Sequence, residues 1–363
     1  MARKQEQEPA REEISEVAKN VLRMELPIRM PGLGHVNMYA LLDERGAAVV
    51  DPGLPGPGTW KAIQNRLAQA GLATRHIHTV LITHSHPDHF GGAARFAKEA
   101  GAEVVAHRSF RFGVLETNAE PEVSVEDLAR ESRPDANLGA ADDDPVMHQQ
   151  VIERWDRQTP WGGRHPRPGL RVRWKWRVAR WLGHSFIPTV TRSLVQGDRI
   201  ELAGREFQVT HTPGHTEDHI CLHDPEEGIF LAGDHVLPTI TPHISGLSLS
   251  RDPLENFFAS LDRVGALPNV KLCLPAHGHP FVDLKSRTEA IKQHHYERLE
   301  KVKQIGRELG PANVEAFSHK LFRPRSWGEM ADSETYAHLE HLRQAGSAEA
   351  HRDAKGLLIF ETG

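Results

Sequence analysis

At 363 residues, 39% of them hydrophobic, the chain is long enough for one large domain or two with a substantial core. A net charge of −5 excludes a global electrostatic pull toward nucleic acid or an acidic membrane, and two cysteines exclude a disulfide framework. No run approaches the ~18 consecutive apolar residues of a membrane span, and the charged N-terminus has no apolar signal core, so a cytoplasmic protein is expected.

Residues 1–16 read as a disordered arm. Residues 21–28, 36–42 and 47–50 then alternate as strands of a meander, with a hairpin turn at 43–46 where Gly46 can take positive φ. The third strand runs into Asp51-Pro52-Gly53, a carboxylate at a strand end. Trp60, Ile63, Leu67 and Ala70 recur at helical spacing before Gly71. Residues 77–82 form the next strand, 89–100 a helix and 103–106 a short strand.

Between that strand and helix lies Thr83-His84-Ser85-His86-Pro87-Asp88-His89. Alternate residues of an extended chain project to one side, so His84 and His86 can reach one metal ion. The helix that begins at Asp88-His89 turns the next two donors toward a second ion. Imidazoles with a carboxylate suit zinc or iron better than calcium or magnesium. A His-rich surface turn would explain two such donors, but not four in six residues.

An insert at about 108–196 breaks the pattern. Residues 123–133 are acidic and helix-compatible, and Asp142-Asp143-Asp144-Pro145 breaks the chain. Residues 161–184 interleave Arg171, Arg173, Lys175, Arg177 and Arg180 with Trp174, Trp176 and Trp181. That mixture suits stacking on bases or resting on an anionic membrane. The preferred reading is a lid over the site, its tryptophans packed on the core.

Regular structure resumes with strands at 199–202, 205–210, 219–222 and 228–231, a helix at 254–261 and a strand at 270–274. Three more strand ends deliver a His or Asp into a Gly-containing turn: His215, Asp234 and His277. From residue 286 the tail reads as a long helix ending near Gly306 or Gly310, then helices at 311–321 and 333–344, a turn at 351–355 and a strand at 357–360.

Asp51, His84-x-His86-x-Asp88-His89, His215, Asp234 and His277, in this order, resemble the metallo-β-lactamase superfamily. The resemblance implies an αββα sandwich over residues 17–285, with a dinuclear centre at the edge of its two sheets. It implies that His84, His86 and His215 hold one metal, that Asp88, His89 and His277 hold the other, and that Asp234 bridges them. Asp51 would orient a ligand imidazole from behind. Two divalent ions are implied, zinc first, with iron or manganese as alternatives. They would share a hydroxide, which Asp88 could orient or relieve of a proton, and Asp88 and Asp234 would be the catalytic carboxylates. His243 lies on the loop after Asp234 and could contact substrate, although a packing role is preferred; His219, His235 and His279 read as supporting or incidental. The tail at 286–363, helices followed by a small hairpin, resembles the winged-helix tail of the β-lactamase-like-protein-2 group, which includes endoribonucleases.

The leading expectation is a hydrolase of a small-molecule ester, thioester or lactone. The alternative is a metal-dependent ribonuclease or phosphodiesterase, for which the tail offers no basic stripe. A third reading is a non-hydrolytic iron protein using the same ligands. A homodimer is possible through the tail.

Overall fold

The computed structural model describes residues 4–30, 32–112, 159–162, 186–248 and 250–363. The expected acidic helix at 123–133, the break at 142–145 and the Trp/Arg run at 171–181 lie outside the described residues.

Two sheets face each other. The first has seven strands in the order β1 (Ser15–Ala18), β2 (Val21–Met30), β3 (Leu33–Asp43), β4 (Gly46–Val50), β5 (Ile77–Leu81), β6 (Glu103–His107) and β7 (Arg192–Leu194). β1 to β4 are an antiparallel meander, and β4 to β7 run parallel. The second sheet runs β12 (Leu272–Pro275), β11 (Ile229–Gly233), β10 (Ile220–Asp224), β9 (Arg205–His211), β8 (Arg199–Leu202), and only the β11–β12 pair is parallel.

Period-two alternation explains the layering. In β4 to β6, Val49, Val80 and Val104 turn outward and pack under α1 (Pro57–Gln69) and α3 (Ala93–Ala100), against Trp60, Ile63, Leu67 and Phe96. Their neighbours Val50, Leu81 and Val105 turn inward to meet Phe207, Val209, Leu222 and Leu231 of the second sheet. The outer face of that sheet, with Phe230 and Cys273, is covered by α4 (Pro253–Gly265) and the tail. The result is the αββα sandwich that the sequence led us to expect.

The tail comprises α5 (Leu284–Leu309), α6 (Val314–Leu321), α7 (Glu329–Gln344) and a small sheet in the order β13 (Ala312–Asn313), β15 (Leu358–Thr362), β14 (Ala348–Arg352). Its Leu299, Val302, Phe317 and Phe360 share one apolar cluster with Phe257 of α4 and Phe230 of the second sheet. The tail is therefore part of the second layer of helices.

Three expectations are corrected. The arm expected to be disordered packs from Lys4 onward. Glu6 is fully buried and accepts hydrogen bonds from the Thr239 and Ile240 backbone N–H groups at 2.7 and 3.2 Å. The helix expected over 89–100 is broken into α2 (Pro87–Phe90) and α3. At Gly91 a Cβ would stand 2.0 Å from Pro55 N, and at Gly92 one would stand 2.6 Å from the Pro52 carbonyl oxygen. Two glycines thus let the loop after Asp51 lie against the metal motif. Finally, residues 348–352 form β14, paired along its whole length with β15, so the first strand of the small hairpin takes in His351 and Arg352, which were expected in the turn at 351–355.

Candidate metal centre

Parallel strands end on the same side, and the candidate residues sit at those ends. Asp51 follows β4, the His84 motif follows β5, His215 lies in the turn after β9, and Asp234 and His277 follow β11 and β12. The crevice outside the carboxyl ends of strands is where open α/β sheets place ligands. Asp51 takes a left-handed conformation, φ 54°, to turn its carboxylate back toward β5.

The structure brings the predicted residues into two adjoining groups, His84, His86, His215 and Asp234 in one and Asp88, His89 and His277 in the other. In the first, His86 Nδ1 is 3.1 Å from both His84 Nε2 and His215 Nε2. Nitrogens on one tetrahedral cation at ~2.0 Å stand about 3.3 Å apart, so this spacing fits a shared ion. In the second, Asp88 Oδ2 is 3.6 Å from His89 Nε2 and 3.5 Å from His277 Nε2. Asp234 lies between them: Oδ2 is 3.6 Å from both His215 Nε2 and His89 Nε2, and Oδ1 is 3.3 Å from His277 Nε2. His89 Nε2, His277 Nε2 and Asp234 Oδ1 are buried and make no hydrogen bond within the protein. Buried polar atoms are rarely left so, and here all three are turned to one space; the donor set fits two cations.

The far side of four of the rings is held by oxygen. His89 Nδ1 donates to Asp51 Oδ2 at 3.0 Å, and Asp51 also accepts from Thr83 N and Oγ1 at 2.9 and 2.8 Å. Thr83 Oγ1 accepts from His84 Nδ1 at 3.0 Å. His215 Nδ1 donates to the His243 carbonyl, and His277 Nδ1 to the His35 carbonyl, each at 2.6 Å. These bonds fix the tautomer and aim Nε2 inward, as partners behind a metal-binding imidazole do. Asp51, expected to orient an imidazole from behind, lies against the His89 ring.

Electrostatics divides the groups. Burial, reinforced by His89 and His86, pushes His84 well below its ordinary value. Burial likewise lowers His86, with His215 adding to it, and His215 despite the pull of Asp234. For His89 and His277 burial acts in the same direction but is outweighed. Asp88, Asp234 and Asp51 raise His89 well above its usual range, and Asp234 and Asp88 raise His277. Burial alone would raise Asp234, but His277 and His89 outweigh it and hold this carboxyl well below its normal range.

Several functional neighbours escaped the sequence. His219, read as supporting or incidental, is fully buried; its Nε2 accepts from Asp234 N at 3.0 Å and its Nδ1 donates to Thr212 Oγ1 at 2.7 Å. Asn37 and Tyr39 of β3 reach across to the Pro275 carbonyl, and Asn37 N donates to the Ala276 carbonyl at 2.7 Å. Ser85 Oγ donates to buried Asp218 at 3.0 Å, tying the first motif to the His215 turn. The only signal for Asn37 was a polar residue facing inward in an apolar strand. His235 packs between His219 and Phe257, and His279 faces Arg23 and Glu8, away from the two groups. The His243 side chain bonds Glu334, and its carbonyl accepts from His215.

His219→Ala leaves the Asp234 N–H buried without an acceptor, which costs about 1–3 kcal/mol. It also frees the carboxylate between the two groups. We expect kcat to fall about 10- to 100-fold with KM little changed, and bound metal to decline. Steady-state kinetics with metal analysis checks this, and wild-type kcat would show that His219 only fills space.

A family described as Metallo-beta-lactamase superfamily matches residues 31–277. The protein named probable metallo-hydrolase YqjP in Bacillus subtilis (strain 168) is 26% identical over 341 residues, covering 87% of this chain and 91% of that one. An acyl-coenzyme A thioesterase of Gallus gallus is 43% identical over 75 residues, 20% of this chain and 24% of its own length. The chain thus matches about a quarter of that thioesterase. The crystal structure of a metallo-β-lactamase family protein from Thermus thermophilus superposes with TM-score 0.68 at 27% identity, covering 95% of this chain and 99% of that one.

Proposed function

The chain belongs to the metallo-β-lactamase superfamily and is a hydrolase, and from that premise we propose that it uses two divalent cations, zinc in the first instance, to cleave small-molecule thioesters, esters or lactones. The observation that carries the proposal is the placing of Asp234 between the two donor groups, within 3.3–3.6 Å of His277, His89 and His215. A pair of divalent cations supplies an activated water near neutral pH and stabilises negative charge on an attacked carbonyl.

The protein's own residues do the rest. His84, His86 and His215 would hold one cation, Asp88, His89 and His277 the other, and Asp234 both. Asp88, whose Oδ2 lies 3.6 and 3.5 Å from His89 and His277, would in addition be placed to orient that water or relay its proton. Asp51 and Thr83 hold two of the rings against rotation, so the donors need little reordering when substrate binds. Thioesters lead the panel because a thioesterase is among the relatives. The net charge of −5 tells against a polyanionic substrate.

The experiment is turnover by metal-analysed protein on two panels, one of acyl thioesters, esters and lactones, the other of single-stranded RNA and phosphodiesters. Turnover confined to the first panel is the expected result. Turnover confined to the second would replace this reading with the phosphodiesterase one.

A further inference from the structure

We propose that Glu334, in the tail and beyond the segment that matches the family, is a positioning residue of the metal centre, acting through His243 on His215. The loop after Asp234 joins them. His243 offers its carbonyl to His215 Nδ1 at 2.6 Å, and its own ring is held through Nδ1, 3.3 Å from Glu334 Oε2. One residue thus takes the α7 carboxylate with its side chain and a metal-binding imidazole with its backbone.

The anchor is itself fixed. Arg298 of α5 forms an ion pair with Glu334 and lies over the Phe322 ring at 5.2 Å. One residue earlier on α7, Ser333 Oγ accepts from Gly246 N at 2.9 Å. A Cβ at Gly246 would come within 2.5 Å of the Ser333 carbonyl oxygen and 2.6 Å of the Tyr336 ring, so only glycine lets loop and helix meet this closely. The first half of the loop has separate anchors. Glu6 binds the Thr239 and Ile240 N–H groups, and Arg287 binds the Leu237 and Ile240 carbonyls at 2.6 and 2.7 Å. Removing Glu334 therefore frees His243 without unpinning the whole loop.

A partner behind a metal-binding His changes metal affinity by about 10- to 100-fold when lost. The test loads wild type, Glu334→Ala and Glu334→Gln with cobalt(II) and follows the visible spectrum and release to a chelator. Glu334→Ala should retain the wild-type fold by circular dichroism, shift the cobalt band, and release one of its two ions about tenfold faster. Glu334→Gln, which keeps an acceptor for His243 Nδ1, should restore most of the slow release. The control is Glu340→Ala, which breaks the α7 pair with Arg343 away from the loop and should behave as wild type. If Glu334→Ala does not fold, His243→Ala removes the same contact, keeps the carbonyl, and must show the same faster release. Unchanged release and spectrum, or equal loosening by Glu340→Ala, would overturn the inference. The inference rests on His215 being a metal ligand. A wild-type protein that takes up no cobalt would sink that reading instead, and the two failures are distinguishable.

Discussion

Asp234→Ala is expected to lower kcat/KM by about a thousandfold or more and to reduce bound metal from two ions per chain toward one. Among the described residues, Asp234 is the one carboxylate within 3.6 Å of imidazoles from both groups, so its loss removes a donor from each. Stabilisation by metal ions of the charge developing in hydrolysis amounts to several kcal/mol, and each 1.36 kcal/mol is a factor of ten in rate. The change also strands charge. Without metal, Asp234 is the chief attraction that holds the proton on His277 and the second, after Asp88, on His89. The variant should therefore be less stable than metal-free wild type near neutral pH, a point that melting curves on chelator-treated proteins check. Two ions retained with near-wild-type turnover would refute the bridging role.

Stripping the metals should abolish turnover, and the affinity with which they return should depend on pH differently at the two groups. His84, His86 and His215 lie below the ordinary 6.5 in the metal-free protein, so above that pH they are already neutral and release no protons to a metal. His89 lies well above it and His277 above it, so each keeps its proton to higher pH than an ordinary imidazole, and a cation must displace whatever proton is held there. Between pH 6.5 and the raised values, affinity at the Asp88–His89–His277 group should rise up to about tenfold per pH unit for each proton displaced, while the other group stays nearly flat. The stability linkage runs the other way. Groups with raised folded values stabilise the metal-free protein fully below the unfolded 6.5, and that contribution is lost as pH rises through the folded values. Metal-loaded and metal-free proteins should thus diverge in melting temperature as pH increases above 6.5. Titrations at pH 6, 7 and 8 that gave equal slopes for both equivalents would contradict this division.

The two donor groups were legible because their residues occupy positions that sequence marks well. Asp51, His84, His215, Asp234 and His277 each follow an apolar strand and precede or join a Gly-containing turn. What was hidden depends on contacts between distant segments. The break at Gly91-Gly92 exists because Pro52 and Pro55 arrive from elsewhere, and helical periodicity alone runs straight through it. Glu6 looks like one more charge in a solvated arm until two N–H groups at 239–240 are placed against it. Residues 348–352 have little apolar alternation, and β15 makes them a strand. His219 is set apart from His235 and His279 by receiving the Asp234 N–H, a contact that its place in the sequence does not reveal.

The most direct test of the two-cation hydrolase is to add zinc in measured equivalents to chelator-treated protein while following hydrolysis of an acyl thioester. The arrangement of Asp234 between two donor groups predicts little turnover at one equivalent and full turnover at two. Turnover that saturates at one equivalent, or that needs no metal, would contradict it.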